Sequence, residues 1–422
     1  MRTYDSYKNS GIEWIGEIPI HWNIIRLSNV FRVSSEKNHP NEMNLSVYRD
    51  YGVIPTNSRD DNHNKISEDT SQYKLVEVGD FVMNKMKCWM GSIGLSLYRG
   101  IVSPSYTVLK IINENVFPSY YHSLLRSSTY IPEYRRLSYG VRVGQWDLRF
   151  EDFREIPVPL PPISEQEQIV SYLDEKTSLI DEMVEKKKRK IGLLKEYRTS
   201  LINTVVTKGL NPDVPMKDSG IEWIGEIPRH WEVKRFKDCH YEVDEIVGSD
   251  WSKYSLLSLT KNGVVKRDIE SGIGKFPESF ETYKKVGFND LIFCLYDIEE
   301  TPRTVGLSKL NGMITGSYKI IKSINVIPEY TYYVYLTIDD SKGLKPYYTG
   351  LRNTVRTDTF NSIKYILPPL SEQEQIVSYL DEKTSEIDKT IELENKKIEL
   401  LKEYRQSLIS NVVTGKIKVV SE

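Results

Sequence analysis

One stretch of fifteen residues occurs twice in this chain, and it constrains the fold more strongly than any other feature. Residues 164–178, Ser-Glu-Gln-Glu-Gln-Ile-Val-Ser-Tyr-Leu-Asp-Glu-Lys-Thr-Ser, return letter for letter as residues 371–385. Each copy follows two prolines and places a serine three residues before a glutamate, which is the pattern of a capping box at a helix start. The repeat therefore predicts two equivalent helices that begin near Ser164 and Ser371.

Isoleucine recurs at intervals of eleven residues through both predicted helices. Eleven residues make almost three helical turns, so this stripe stays on one face of a nearly straight helix. A helix of about 42 residues would be roughly 60 Å long, and an amphipathic rod of that length is not expected to stand alone. We therefore expect the two helices to pack on each other. The predicted seam consists of Ile169, Leu173, Ile180, Val184 and Ile191 with Ile376, Leu380, Ile387, Ile391 and Ile398.

A second repeat lies upstream of each long helix. Ser-Gly-Ile-Glu-Trp-Ile-Gly-Glu-Ile-Pro fills residues 10–19 and again residues 219–228, and His-Trp follows each copy one residue later. We call residues 10–22 and 219–231 the Trp-rich segments. The chain is thus predicted to consist of two tandem halves, each with a Trp-rich segment, a middle region and a long helix.

The two middle regions hardly match in sequence, yet both contain short β-branched and aromatic runs broken by Gly, Asn and Asp. Such runs predict strands, and patches at 120–125 and 330–336 predict helices. The clearest correspondences pair residues 79–82 with 289–292 and residues 102–108 with 314–320. Each middle region is therefore predicted to be a compact α+β domain.

The contrast between repeated scaffold and divergent middles carries functional information. Two near-identical surfaces suit two identical partners related by a pseudo-twofold axis. Two divergent middle regions suit two different ligands, or two unlike halves of one ligand. A DNA duplex with two unlike half-sites at a fixed spacing would satisfy both observations.

Composition limits the possible function classes. Of the 422 residues, 39% are hydrophobic and 27% are charged, as in an ordinary soluble globular protein. No apolar run approaches the roughly 18 residues of a membrane span. The three scattered cysteines, Cys88, Cys239 and Cys294, fit a reducing cytoplasm and argue against a structural zinc site. A net charge of −2 excludes a uniformly basic protein, so DNA binding would come from local patches.

The sequence contains no catalytic motif that we recognise. The Asn-Pro-Pro-aromatic tetrapeptide of amino-methyltransferases is absent, because the one Asn-Pro pair, at 211–212, continues with Asp213. No phosphate-binding loop occurs either, since the Gly-Lys pairs at 274–275 and 415–416 are followed by Phe and Ile rather than Ser or Thr. We expect no catalytic residue, no cofactor and no metal site, and a cytoplasmic location.

Three motifs carry a resemblance to a known family. Trp-Ile-Gly-Glu-Ile-Pro-Arg-His-Trp at 223–231 and Ile-Leu-Pro-Pro-Leu-Ser-Glu-Gln-Glu-Gln-Ile at 366–376 resemble the specificity subunit of type I restriction–modification systems. Leu-Leu-Lys-Glu-Tyr-Arg, at 193–198 and 400–405, shares the resemblance, which extends over nearly the whole chain. The resemblance implies that each middle region is a target-recognition domain for one half of a bipartite site in double-stranded DNA. It also implies two modification (methyltransferase) subunits and restriction–translocase subunits as partners, which would carry the chemistry.

The predicted fold is therefore α+β, with two globular target-recognition domains separated by two long antiparallel helices in a pseudo-twofold internal repeat. The predicted boundaries are 1–155 for the first domain with its Trp-rich segment, 156–208 for the first spacer helix, 209–365 for the second domain and 366–422 for the second helix. Two alternatives remain open at this point. A stand-alone DNA-binding regulator would bind its site without a methyltransferase partner, and a structural adaptor would have no affinity for DNA.

Candidate DNA-contacting residues lie near the end of each middle region. They are Arg142, Gln145, Trp146 and Arg149 in the first half, and Arg352, Asn353, Arg356 and Thr357 in the second. Arginine can bridge O6 and N7 of guanine, and Gln or Asn can pair with the adenine edge. The alternative is that these are surface side chains that contact phosphates or nothing. Lys85 and Lys87, near Trp89, form a second basic and aromatic cluster, for which we favour contact with the DNA backbone.

The most basic run in the chain, Lys186-Lys-Lys-Arg-Lys190, occurs in only one of the two helices. It is either a solvent-exposed helix face or a contact with phosphates or a partner that only this helix makes. His21 and His230 are predicted to be packing and capping groups rather than ligands. The three cysteines are predicted to be buried apolar residues.

Overall fold

The structure is a computed structural model that describes residues 3–49, 51–58, 69–140, 146–268, 279–301 and 303–419. The chain divides into two units, one formed by Met1–Lys187 with Asn395–Glu422 and the other by Lys188–Glu394. Each unit thus contains one middle region, the start of one long helix and the end of the other.

Within its described residues, the first unit holds strands β1 to β12 and the short helices α1 to α3. The strands span, in order, Tyr7–Asn9, Glu17–Pro19, Asn23–Arg26, Phe31–Ser34, Leu45–Tyr48, Gly52–Pro55, Lys74–Val76, Phe81–Asn84, Ile93–Leu95, Gly100–Val102, Tyr106–Ile111 and Pro157–Leu160. The helices span Pro118–Leu125, Ile131–Leu137 and Phe150–Phe153. One sheet has the antiparallel order β4-β11-β8-β9, and β1-β2, β3-β12, β5-β6 and β7-β10 form antiparallel pairs.

The long helix α4 spans Ile163–Lys208 and leads into the second unit. The strands β13 to β24 there span Met216–Asp218, Glu226–Pro228, Glu232–Arg235, His240–Val243, Leu257–Thr260, Gly263–Lys266, Lys284–Val286, Leu291–Phe293, Val305–Leu307, Gly312–Ile314, Lys319–Ser323 and Lys364–Leu367. The helices α5 to α7 span Phe236–Cys239, Pro328–Asp340 and Thr357–Ser362, and the long helix α8 spans Leu370–Val413.

The two units have the same sheet topology although their middle regions hardly match in sequence. The second four-stranded sheet has the order β16-β23-β20-β21, which corresponds strand by strand to β4-β11-β8-β9. The remaining pairs, β13-β14, β15-β24, β17-β18 and β19-β22, also correspond one to one with those of the first unit. The predicted α+β domains, their helical patches at α1 and α6, and the internal repeat are therefore confirmed.

Alternation of side chains along one central strand accounts for the shared fold. In β8, Phe81 and Met83 belong to the main core while Val82 belongs to a second apolar cluster, because successive residues point to opposite faces. In β20, Phe293 lies in the main core and Ile292 in the equivalent second cluster. Different apolar residues at the same alternating positions are enough to keep the same sheet.

The two long helices run antiparallel within each unit. In the second unit, Lys190 lies 3.0 Å from Glu394 and Arg198 lies 3.2 Å from Asp388, so residue numbers rise along one helix as they fall along the other. In the first unit, Arg405 donates hydrogen bonds of 3.0 and 3.2 Å to the carboxylate of Asp181. The predicted antiparallel helix pair is confirmed.

Most of the predicted seam residues are buried. The buried ones are Ile169, Leu173, Ile180, Val184, Ile191, Ile376, Leu380, Ile387 and Ile398. Ile391 is only partly buried. One turn after it, Glu394 is buried and receives the ammonium of Lys190, so an ion pair interrupts the apolar stripe there.

The helix ends are set by proline and glycine. The backbone N–H groups of Glu165 and Gln166 donate to the carbonyl of Pro162 at 2.9 and 3.0 Å, and α4 already begins at Ile163. The predicted capping box is therefore wrong, because the proline starts the helix before Ser164, which lies in the first turn. Gly209 follows the end of α4 with φ 74°, a left-handed conformation that favours glycine and ends a helix.

The repeated glutamate of each long helix binds the Trp-rich segment of the same unit. Glu372 Oε2 lies 2.8 Å from Nε2 of His230 and accepts a 3.0 Å hydrogen bond from Nε1 of Trp231. In the first unit, Glu165 lies 2.8 Å from Nε2 of His21 and accepts a hydrogen bond from the hydroxyl of Tyr4. The two histidines thus anchor each Trp-rich segment to a helix start.

The end of the other long helix completes each of these contacts. Trp22 and Trp231 are fully buried. A Cβ added to Gly415, just beyond α8, would lie 3.1 Å from the Trp22 ring and 2.4 Å from Pro19. A Cβ added to Gly209, just beyond α4, would lie 3.3 Å from the Trp231 ring. Each buried tryptophan therefore packs between the start of one long helix and the glycine after the other.

The glutamine that follows each repeated glutamate caps a helix of the recognition domain. Gln166 accepts from the N–H of Phe117 at 2.9 Å, directly before α1, and donates to the carbonyl of Pro161 at 2.8 Å. Gln373 makes the same two contacts, to the N–H of Ile327 before α6 and to the carbonyl of Pro368. Because both glutamines are buried, these contacts account for the repetition of the residue in both halves.

The three cysteines are buried, as predicted. Among the described residues, no helix is both long and apolar enough to cross a membrane.

Each unit contains a histidine whose pKa is lowered, which predicts a loss of stability in acid: His240 is buried and His122 is partly buried. Burial, together with nearby Arg126, lowers the pKa of His122 to about 4, and burial lowers the pKa of His240 to about 4. Since an unfolded histidine has a pKa near 6.5, the unfolded chain binds more protons between these values. The free energy of unfolding should therefore fall as the pH drops from about 7 to 4, by up to ~3 kcal/mol for each histidine.

Denaturant unfolding between pH 7.5 and 4.5 measures this slope. His122→Asn keeps an acceptor for the N–H of Leu95, which donates to Nδ1 of His122 at 3.0 Å, but it cannot be protonated. The variant should lose stability less steeply in acid than the unmodified protein. An unchanged slope would contradict the role of His122.

Candidate nucleic-acid interface

A hairpin near the end of the first middle region carries several of the predicted DNA-contacting residues. Tyr139 and Asp147 exchange backbone hydrogen bonds of 3.2 and 3.0 Å across it. Two of the candidates, Arg142 and Gln145, belong to residues 141–145 and lie outside the described residues. Directly after the hairpin, the N–H of Leu148 donates to the carbonyl of Lys85 at 3.0 Å. This hydrogen bond ties the hairpin to the end of β8.

Aromatic rings and guanidinium groups pack together around this junction. The rings of Trp89 and Trp146 lie 5.1 Å apart, and the Arg135 guanidinium lies 5.6 Å from the Trp146 ring. The guanidinium of Arg149 lies 5.2 Å from the ring of Tyr139. Aromatic rings beside cations suit contact with bases and phosphates. Arg135 was missed by the sequence analysis because it comes from α2, whose residues gave no signal of a binding role.

The two candidate lysines belong to the loop that follows β8. Lys85 lies 4.0 Å from the carboxylate of Asp147 on the hairpin, and Lys87 is exposed. Together with Trp146 and Arg149, they belong to what we call the first recognition loops, the described residues 85–91, 139–140 and 146–149. The structure therefore brings four of the predicted residues to one place.

The second unit builds the same junction from different residues. Thr349 and Thr354 exchange backbone hydrogen bonds of 2.9 and 3.1 Å, and between them Asn353 has a φ of 42°. After this hairpin, the N–H of Val355 donates to the carbonyl of Leu295 at 2.9 Å, as Leu148 does to Lys85. We call residues 295–301 and 349–357 the second recognition loops.

Arg352 is the best-defined candidate in these loops. Its Nε donates to Oδ1 of Asp297 at 3.1 Å, and its Nη2 donates to Oδ2 of the same carboxylate. The guanidinium also lies 5.4 Å from the ring of Tyr296. The hydrogen bond lowers the pKa of Asp297 and raises the pKa of Arg352. Neither Asp297 nor Tyr296 was predicted, although counting from the matched residues 79–82 and 289–292 aligns Asp297 with Lys87.

The remaining candidates of the second unit lie on the hairpin and at the following helix. Asn353 is half-buried beside Arg352. Arg356 is exposed and directly precedes α7, of which Thr357 is the first residue. Arg149 holds the equivalent position before α3 in the first unit. Both units therefore present an arginine at the start of a short helix beside the hairpin.

A buried carboxylate holds the far end of the loop that carries Asp297. Asp339, in α6, accepts from Oγ1 of Thr304 at 2.8 Å and from the N–H of Thr304 at 3.2 Å. Arg303 lies 3.4 Å from Asp339 and 2.6 Å from Asp340. The loop after β20 is thus fixed to a helix of the domain core as well as to the hairpin.

A repeated apolar pair is exposed on the long helices. Leu193 and Tyr197 of α4 lie in the second unit, and Leu400 and Tyr404 of α8 lie in the first. The spacing of four residues puts the two side chains of each pair on one helix face. Each unit therefore carries one copy of the same exposed pair.

The basic run in α4 makes ion pairs on the helix surface. Lys186 lies 2.6 Å from Glu182 one turn earlier, and Lys190 lies 3.0 Å from Glu394. In the part of the chain that the structure describes, no group of three or more His, Cys, Asp or Glu side chains is arranged to hold a metal ion.

A sequence profile of the type I restriction modification DNA specificity domain matches residues 19–192 and 308–403. The chain belongs to this family. Members of the family recognise DNA sequence within type I restriction–modification complexes, and this role applies to the chain. Both hairpins lie inside the matched ranges of the specificity domain, whereas the loop of Asp297 lies between them.

Relatives of the specificity family match over nearly the whole chain. The type I restriction enzyme MjaVIII specificity subunit of Methanocaldococcus jannaschii is 24% identical over 434 residues, which cover 95% of this chain and 94% of that protein. The crystal structure of the HsdS subunit from Thermoanaerobacter tengcongensis has a TM-score of 0.55 at 15% identity, covering 95% of this chain and 98% of that one. A chain from a structure of type I R-M complex assembly and conformational transition has a TM-score of 0.68 at 15% identity, covering 95% and 99%. These structures share the fold of this chain.

Proposed function

We propose that this chain is a non-catalytic specificity subunit that binds a bipartite DNA site and positions methyltransferase and restriction subunits on it. The observation that carries the proposal is the occurrence of one fold twice with chemically different recognition loops at equivalent positions. On this proposal, residues 1–155 and 209–365 are the two target-recognition domains, and the helices within 156–208 and 366–422 connect them.

The chemistry of the loops supports two unlike half-sites. The first recognition loops offer Lys85, Lys87 and the paired rings of Trp89 and Trp146. The corresponding second loops instead carry a guanidinium paired with a carboxylate. Because base recognition depends on the donors and acceptors that a loop presents, equal folds with unequal loops would select different bases.

The repeated exposed pairs support two copies of one partner. Leu193 with Tyr197 and Leu400 with Tyr404 are exposed apolar residues at the same spacing in the same six-residue motif. Exposed leucine and tyrosine side chains on one helix face fit a partner that covers them with an apolar surface of its own. We propose the methyltransferase subunit as this partner, one copy for each pair.

Genome-wide mapping of methylated adenines tests the proposed function. Cells that contain the methyltransferase subunit should show one bipartite methylation motif when this chain is present and none when it is absent. Arg149→Ala should relax or weaken only one half of that motif, because Arg149 belongs to one recognition domain. A chain that binds a specific site alone and adds no methylation would instead be a stand-alone regulator, and one without DNA affinity in any assembly would be an adaptor.

Native mass spectrometry of the assembled complex tests the docking proposal. Replacing Leu193 and Tyr197 by serine should remove one methyltransferase copy, and replacing Leu400 and Tyr404 should remove the other. A matched control replaces Leu179 and Met183, an exposed apolar pair of the same spacing that is not repeated in α8, and should leave two copies bound. Retention of two copies by both test variants would refute this docking surface.

A further inference from the structure

Arg352 is held in one plane by two neighbours although its side chain is exposed. Asp297 binds the edge of the guanidinium formed by Nε and Nη2. Tyr296 lies 5.4 Å away, within the range of a cation–π contact. The backbone adds a third restraint, because the N–H of Asp297 donates to the carbonyl of Arg352 at 2.7 Å. An exposed arginine normally moves among many rotamers, and these contacts restrict this one before any ligand binds.

The contacts leave a defined part of the guanidinium free to bind. A guanidinium has five N–H donors in a fixed plane, and Asp297 uses the side that contains Nε. The outer fork, with one N–H of Nη1 and one of Nη2, points away from this carboxylate. That fork matches the O6 and N7 acceptors on the major-groove edge of guanine.

The same carboxylate disfavours a phosphate as the ligand. Asp297 compensates the charge of Arg352, and its own negative charge would repel a phosphate at close range. A base edge carries no net charge, so the neutral pair of Arg352 and Asp297 can donate hydrogen bonds to it without this repulsion. Lys87 of the first unit, which corresponds to Asp297 in the loop after the central strand, has the opposite charge and suits phosphate contact.

We propose that Arg352 is the guanine-recognising residue of the second half-site and that Asp297 is its positioning residue. This inference rests on the proposed function, because it assigns one base contact within a bipartite site. It predicts that the half-site bound by the second recognition domain contains a G·C pair whose identity depends on both side chains.

The test uses the full-length chain assembled with its methyltransferase subunits, in cells and after purification. The variants are Arg352→Ala, Arg352→Lys, which keeps the charge but loses the planar fork, and Asp297→Asn, which keeps the shape but loses the charge. The matched control is Asp181→Asn, because Asp181 also accepts two hydrogen bonds from one arginine, Arg405, but belongs to a long helix. Methylation motifs and the salt dependence of binding to a duplex with the mapped site are measured for each.

We expect both Arg352 variants to relax one G·C position of one half-site, with a loss of preference on the order of ten- to one-hundredfold. Asp297→Asn should relax the same position and also make binding more salt-dependent, by about one additional phosphate contact, since Arg352 is then free to reach the backbone. Asp181→Asn should change neither property. If Asp297→Asn only disturbed the packing of the loop, the protein would be less stable, but the salt dependence of DNA binding would not change.

Several results would overturn the inference while leaving the proposed function intact. Unchanged recognition by both Arg352 variants would remove Arg352 as a base contact. Uniform weakening across all sequences would make it a phosphate contact. Unchanged specificity and salt slope in Asp297→Asn would remove Asp297 as the positioning residue. Absence of any motif with the unmodified chain would instead refute the proposed function itself.

Discussion

The packing of one buried tryptophan between two helix ends is the constraint on which the rest of each unit depends. Trp231 lies between Glu372, at the start of one long helix, and Gly209, just beyond the other. Trp22 packs against Gly415 and Pro19 in the same way, but its Nε1 makes no hydrogen bond like that of Trp231 to Glu372. Each domain therefore needs residues from both long helices. A chain with only one of them would leave a tryptophan exposed in the unit that lost its helix end.

This packing separates the residues that both units share from the recognition-loop residues that differ between them. The repeated Glu, Gln and Trp residues make the contacts that join each Trp-rich segment and recognition-domain helix to the long helices. The recognition loops anchor themselves in the cores through buried side chains such as Cys88, Leu148 and Val355, whereas their side chains Arg149 and Arg352 are exposed. New side chains in the loops can alter base recognition without altering the scaffold.

The sequence predicted the repeated parts well because identity and periodicity are visible without coordinates. It predicted the antiparallel helices and their starts to within one residue, but the capping box was wrong because Ser164 lies inside the first turn of α4. The sheet topology that the two units share was predicted only in part, because different apolar residues can fill the same buried strand position, as Val82 does in one unit and Ile292 in the other. Asp297 was missed because its role depends on Arg352, which lies far away in sequence and is brought close only by the hairpin.

Circular permutation tests most directly whether the two tryptophan packing sites are equivalent. Lys418 and Tyr4 line one small pocket in the first unit. In the second unit, the residues after Gly209 continue directly into β13. The permutant joins Glu422 to Met1 and opens the chain between Asn211 and Pro212. Thermal unfolding and methylation mapping should give a midpoint within a few degrees of the parent and the same motif. A permutant that fails to fold even with a long flexible linker would contradict the equivalence.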